Sequence, residues 1–327
     1  MNEIEVILSQ FADDTSIFLD GSEKSFRETI STLDRFSSYS GLKINIDKTN
    51  VIWIGCKKNC GTRYMRDRNF LWDPGIFKVL GIQLSTAIHN IVDLNYKDKI
   101  EKLKRIFKLW GKRQLTPLGK ITVMKSLIIS TITHLLINIP DPPHAFMNDL
   151  NKEMYNFLWD GKKNKLRKDV IGRPLEKGGL GMMDINSFLG ALKSSWIGRV
   201  WNNVNLQYHI SNLYPKILEI KNRGSEFTKE VVETIENPFW KDVCRYYEKL
   251  QKTCKIQDLN EFLAENIHYN PNIIQGKKTV VIRTWLEAGI TKIHHLISDH
   301  GELMSQIEFK KKCTQTLTLI SYNMKGL

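Results

Sequence analysis

A chain of 327 residues has room for about two domains, and a hydrophobic content of 42% is ample for real cores, which excludes a disordered chain. Lysine and arginine outnumber aspartate and glutamate by 48 to 35, giving a formal net charge of +13 and a pI near 9.4. Such a surface suits polyanions or acidic membranes, nucleic acid being the commoner partner.

The first residues, "MNEIEVILSQFADD", are acidic where a secretory leader is basic, so an intracellular chain is the expectation. Ile4 to Leu8 and Ile17 to Leu19 are apolar runs of strand length around a polar break, the pattern of a β-hairpin with Asp13 and Asp14 at its bend. Aspartate is a common turn residue because its short side chain bonds nearby backbone amides. Adjacent carboxylates are also what a hard cation such as Mg²⁺ selects, with positions left open for phosphate. The pair alone does not decide between turn chemistry and a metal site.

Ser22 predicts a helix N-cap; Phe26, Ile30, Leu33 and Phe36 or Ser37 follow at helical spacing, and Gly41 ends the helix. Its apolar face is expected to pack on a sheet. "LKINIDKTNVIWIG" then alternates, with strand at Ile44 and Ile46, a turn at "DKTN" and strand again from Val51 to Ile54. Residues 56–74 read as a basic surface loop, and Phe77 to Ser85 returns to a strand pattern. Strands with a single crossover helix make an α+β unit.

From Tyr96 to Trp110 the spacing of Ile100, Leu103, Phe107 and Trp110 predicts a helix, with Lys97, Lys104, Lys108 and Lys112 on one flank. Thr116 and Pro117 supply the cap and first-turn proline of a second helix through Leu118, Ile121, Met124 and Leu127, stopped by prolines 140, 142 and 143. The most apolar run, Leu127 to Ile139, contains His134 and is too short to span a bilayer, so it reads as a buried element and no membrane partner is expected. A third helix is predicted from Phe146 to Trp159.

"WDGKKNKLRKDVIGRPLEKGGLGMMDI" is basic and glycine-rich but contains neither GxGxxG nor a P-loop in a strand-to-helix setting. "EKGGLG" reads as a turn leading into a helix from Ile185 to Trp201 capped by Asp184, and "PFWKDVCRYYEKL" as a later helix. Three regions are expected: 1–90, 91–160 (helical) and 161–327 (basic, mostly helical). Five scattered cysteines, Cys56, Cys60, Cys244, Cys254 and Cys313, point to free thiols in a reducing compartment. No second ligand pair follows Cys56 and Cys60, so no structural zinc is expected. "HHLISDH", with His294, His295 and His300, fits an amphipathic helix at least as well as a ligand set with Cys313.

"QFADDTSIFL" resembles the palm-domain metal motif of reverse transcriptases of non-LTR retrotransposons, the long interspersed element group. It is followed, in that family's order, by "FRETISTLDRFSSYSGLKIN", by "KINIDKTNVIWIG", similar to the next palm motif, and by "FKVLGIQLS", similar to the strand that positions the primer end. "RQLTPLGKITVMKSLIISTITHLL" and "FLWDGKKNKLRKDVIGRPLEKGGLGMMDI" resemble the thumb and C-terminal segment. The resemblance implies an α+β fold: a partial palm of hairpin, helix and strands in 1–90, a helical thumb in 91–160, and a mainly helical C-terminal region.

It further implies that Asp13 ligates Mg²⁺ with Asp14 as companion, that Phe11 and Ala12 shape the bend beneath the primer end, and that Lys48 lies near the incoming triphosphate. Leu80 and Gly81 match the primer-contacting strand. In this family another metal-binding aspartate, the fingers and the template-binding motifs precede the hairpin, which here starts a few residues after Met1. The expectation is therefore the C-terminal part of an RNA-directed DNA polymerase, without independent polymerase activity. RNA and DNA are the expected partners, with Lys97, Lys104, Lys108, Lys112 and Arg113, then Lys162, Lys163, Lys165, Arg167 and Lys168 as phosphate contacts interleaved with Trp110 and Trp159. A solvated helix face explains the same charges. Two further readings stand beside the enzyme fragment: a non-catalytic basic binding protein with thumb-like helices, and a translated relic whose half-palm exposes a sheet edge.

Overall fold

The computed structural model describes residues 8–163, 165–254, 258–298, 302–305 and 307–312. Helix and strand are both present and helix predominates, in keeping with the α+β class. Contacts divide the chain into two units: residues up to Lys112 with Pro142–Leu150, and Arg113–Asp141 with the residues from Asn151 onward.

In the first unit, β1 (Leu8–Phe11) and β2 (Asp14–Ile17) form an antiparallel hairpin pairing Leu8 with Ile17 and Phe11 with Asp14. The described pairing runs right up to the bend, through Gln10–Phe11 and Asp14–Thr15, and positions 4–7 of the first run fall outside the described residues. A two-residue turn fixes register by its own geometry, so the polar residues flanking it pair first.

Helix α1 (Glu23–Ser40) begins and ends as expected. The Ser22 hydroxyl accepts from the Ser25 N–H at 3.1 Å, and Gly41, at φ 74°, donates its N–H to the Ser37 carbonyl at 2.9 Å. Phe26 and Ile30 are buried against Trp53, Phe70 and Trp72, with Leu33, Val51 and Tyr64 at the rim. The Phe26 ring lies 5.4 Å from Trp72 and 5.7 Å from Phe70, and such pairs contribute about 0.5–1.5 kcal/mol each beyond their burial.

The surface covering α1 is not the sheet expected. β3 (Asn50–Val51) and β4 (Leu71–Trp72) are two-residue strands paired in parallel. Ile46–Lys48 is a 3₁₀ turn instead of strand, because the Asn45 side chain accepts the Lys48 N–H at 3.2 Å and the Thr49 hydroxyl bonds the Asn45 carbonyl at 2.8 Å. Local side-chain bonds of this kind compete with a strand ladder. Nor is 56–74 only a surface loop: it delivers Tyr64, Phe70 and Trp72 to the core, while Arg68 grips Asp34 of α1 through two bonds of 2.6 and 3.1 Å.

β5 (Ile76–Val79) and β6 (Ile82–Ser85) form a second hairpin, so Leu80 and Gly81 make its turn instead of continuing a strand. Their φ values of 46° and 85° are the two positive angles of a type I′ turn. On α2 (Ile91–Tyr96) the buried Asn95 amide accepts from the Gln83 N–H at 2.9 Å and donates to the Gln83 carbonyl at 2.7 Å, fastening the helix to β6. α3 (Lys99–Gly111) buries Leu103 and Phe107, the centre of the predicted stripe.

The second unit opens with α4 (Pro117–Val123), capped by the Thr116 hydroxyl, which accepts from the Gly119 N–H at 3.2 Å. A π-helical stretch, Met124–Ile129, leads straight into α5 (Ser130–Asn138). Ser126, Thr131 and Thr133 turn their hydroxyls back onto carbonyls one turn earlier, bonds that loosen a helix ladder where it widens. The combined helix, Pro117–Asn138, is 22 residues and apolar enough by length and composition to cross a membrane, with 44% of its most apolar window buried within the protein. It is longer than the run read from the sequence, and Ile128, Ile132 and Leu136 are fully buried on it.

The residues of α6 (His144–Trp159) divide between the units at Leu150. α7 (Lys168–Gly172) precedes α8 (Ile185–Asn202), whose cap Asp184 accepts the Ser187 N–H at 2.6 Å as predicted. α8 packs with α9 (Val204–His209), α10 (Tyr214–Lys221), α11 (Ser225–Thr234) and α12 (Pro238–Thr253) around Ile197, Ile217, Ile220, Val231 and Val243. Then follow α13 (Leu259–Leu263), the short hairpin β7 (Ile274–Gln275) and β8 (Lys278–Thr279), and α14 (Arg283–Glu287), with a small core of Ile267, Ala288 and Ile290. The histidine segment forms only a 3₁₀ turn, Ile293–Leu296, instead of an amphipathic α-helix; His300 and Cys313 lie outside the described residues.

Candidate functional site

The Asp13–Asp14 bend is open to solvent: Phe11 is 68% exposed, and Ala12, Asp13 and Asp14 are exposed with it. Ala12 takes a φ of 53° at the first turn position, where a type II′ hairpin usually places glycine. A non-glycine residue held there stores about 1 kcal/mol or more of strain. Asp13 completes the turn and Asp14 opens β2 opposite Phe11.

Among the described residues no group of three or more His, Cys, Asp or Glu side chains is arranged to hold a metal ion. The donor set at the bend fits one Mg²⁺ held through one or two carboxylates, with water or phosphate completing the octahedron. It does not fit an oriented pair of ions, which needs carboxylates from a second element.

Lys48 ends the 3₁₀ turn and is exposed. Leu80, 44% exposed, sits at the tip of the β5–β6 hairpin beside Gly81. Lys97 follows α2, and Lys104 on α3 is engaged with Glu101 at 2.8 Å. Lys108 and Lys112 are exposed near the C-terminal end of α3, where cations also complement the helix dipole. Arg113 belongs to the second unit, so the basic flank is not confined to one body.

The second basic cluster rides on a tied loop. Asp160 (φ 52°) and Gly161 (φ 70°) close α6, and buried Lys120 of α4 pairs with Asp160 at 2.5 Å. The Leu180 and Met182 N–H groups both donate to the Ile171 carbonyl, at 3.2 and 3.1 Å, folding the glycine segment back on α7. At Gly179 a Cβ would lie 2.0 Å from the Arg173 carbonyl oxygen, so only glycine fits. Lys162, Lys163 and Lys165 on this loop are exposed, with Arg167 held to Asp169 at 3.2 Å and Lys168 lying 4.9 Å over the Tyr155 ring. Trp159 is buried at 7% exposure and belongs to the core instead of offering a stacking surface, whereas Trp110 is half-buried.

A charged cluster in the second unit went unread in the sequence. Lys193 of α8 is fully buried, its ammonium donating to the Ile139 carbonyl and lying 4.6 Å over the Phe239 ring. Arg245 bridges Asp141 at 2.6 Å and Asp242 at 2.8 Å, and the Asp141 N–H donates to Asp242 at 2.8 Å. Burial pushes Lys193 down to about 8, partly offset by Asp141 and Asp242. Burial, and then the neighbouring Asp242, raises Asp141. The signal was present: Lys193 stands four residues from both Leu189 and Ile197 on the buried stripe of α8.

Compared with known proteins, the chain matches no protein-family model.

Proposed function

We propose that this chain is a palm-and-thumb portion of an RNA-directed DNA polymerase of the non-LTR retrotransposon type, with the Asp13 hairpin as its metal-binding bend. The observation that carries this reading is the exposed pair of carboxylates at the hairpin bend, Asp13 in the strained two-residue turn with Ala12 at positive φ and Asp14 opening the next strand. Asp13, with Asp14 beside it, would hold Mg²⁺, which when bound lowers the pKa of a primer hydroxyl and neutralises charge on a triphosphate. Phe11 and Ala12 shape the bend, Lys48 offers a cation for phosphate, and the Leu80–Gly81 turn would meet the primer strand. With two carboxylates from one bend, the described residues do not assemble a two-ion centre, so the chain by itself is proposed to bind primer–template without extending it.

A second reading, a non-catalytic binder of RNA or DNA, is favoured by the exposed lysines 162, 163 and 165. Primer–template binding by the whole chain, measured with and without Mg²⁺, separates the two. The polymerase reading expects Mg²⁺ to tighten binding and Asp13→Asn to abolish that effect. Binding that ignores both Mg²⁺ and the substitution favours the second reading, and robust primer extension by this chain contradicts its proposed incompleteness.

A further inference from the structure

α8 ends in an open groove of about 820 Å³, bordered by Ser195, Trp196, Gly198, Arg199, Asn202 and Asn205. Its volume lies within the range of about 300–1,000 Å³ usual for small-ligand sites. Trp196 is a fixed platform: its indole Nε1 donates to the Ile137 carbonyl at 2.7 Å, and Phe239 and Trp240 abut it edge-on at 5.5 and 6.0 Å. The Arg199 guanidinium lies 4.9 Å over that ring, exposed and in no ion pair among the described residues. Asn203 is occupied in capping α9, accepting the Leu206 N–H at 3.1 Å. The Asn202 and Asn205 amides make no side-chain hydrogen bond among the described residues. The floor is open at Gly198, where a Cβ would meet nothing within 4 Å.

We propose that this groove is a subsite for an unpaired nucleobase of single-stranded RNA or DNA, stacked on the Arg199–Trp196 pair and hydrogen-bonded by Asn202 and Asn205. The Arg199 guanidinium, 4.9 Å over the Trp196 ring, offers a planar cation beside an aromatic face, and unstacked bases dock on both kinds of surface. Free amides, each both donor and acceptor, match the edge of a base. No carboxylate lines the groove, which disfavours a cation. The carbonyl end of α8 disfavours a phosphate at the same spot, whereas a neutral base escapes that penalty. The inference rests on the reading that the chain handles nucleic acid and adds where a base is held.

The test uses the whole chain and two labelled single-stranded oligonucleotides of equal length, one with bases and one abasic, followed by fluorescence anisotropy. The strand with bases is expected to bind about tenfold tighter, the scale of one stacked base. Gly198→Leu, which fills the groove without altering charge, is expected to remove that preference while leaving abasic binding unchanged. Its melting temperature should not fall, since leucine is the better helix former. Arg199→Gln should also reduce the preference, from an exposed position that carries no folding hazard. Equal binding of the two strands, or a preference that survives Gly198→Leu, overturns the base subsite and leaves the nucleic-acid reading standing. Failure of both strands to bind overturns both.

Discussion

An ammonium with no exposed surface, as at Lys193, makes stability depend on pH in a defined direction. Its folded value of about 8 lies below the ordinary 10.5, so between those limits the unfolded chain binds more protons and stability rises with pH. Below about 8 the penalty is present in full. Wild-type protein is therefore expected to gain stability relative to Lys193→Met between pH 8 and 10.5, on the order of 3 kcal/mol at most. Urea midpoints at the two ends of that window measure it, and a difference independent of pH would show that Lys193 does not titrate there. The position was legible, since it falls on an apolar stripe; the partners were not. Asp242 and Arg245 are neighbours one turn apart on α12, but Asp141 is about a hundred residues away in sequence, and only packing brings it to them.

At the scale of the element, α1 depends on one aromatic contact set. Phe26→Ala removes the ring that touches Tyr64, Phe70 and Trp72, and is expected to cost about 3–5 kcal/mol. Phe36→Ala, at a ring 54% exposed on the same helix, should change stability by no more than about 0.5 kcal/mol. Denaturation followed by tryptophan fluorescence, with Trp53 and Trp72 in that core, compares the two; similar losses would mean that the Phe26 cluster does not hold α1. The helix limits were readable because Ser22, Gly41, Thr116 and Asp184 act on backbone groups within four residues of themselves. The strands were less so: alternation at Ile44 and Ile46 lost to the local bonds of Asn45 and Thr49. Residues 56–74 carry no periodicity, so nothing local announced that Tyr64, Phe70 and Trp72 face inward.

For the whole molecule, a net charge of +13 makes the proposed nucleic-acid binding an electrostatic matter first. Replacing Lys162, Lys163 and Lys165 together by alanine is expected to reduce the slope of log K against log salt by about 2–3, since each phosphate contact contributes about 0.7–0.9. An unchanged slope would show that these lysines meet no phosphate. By itself the sequence determined the charge, the helix caps at Ser22, Thr116 and Asp184, the bend that carries Asp13 and Asp14, and the stripe on which Lys193 sits, because each is set by composition or by neighbours along the chain. Tertiary structure alone decided that Trp159 is core and that Lys193 is buried near two acids. It also decided that Trp196 and Arg199 edge an open groove, because burial and contact depend on which distant segments pack together.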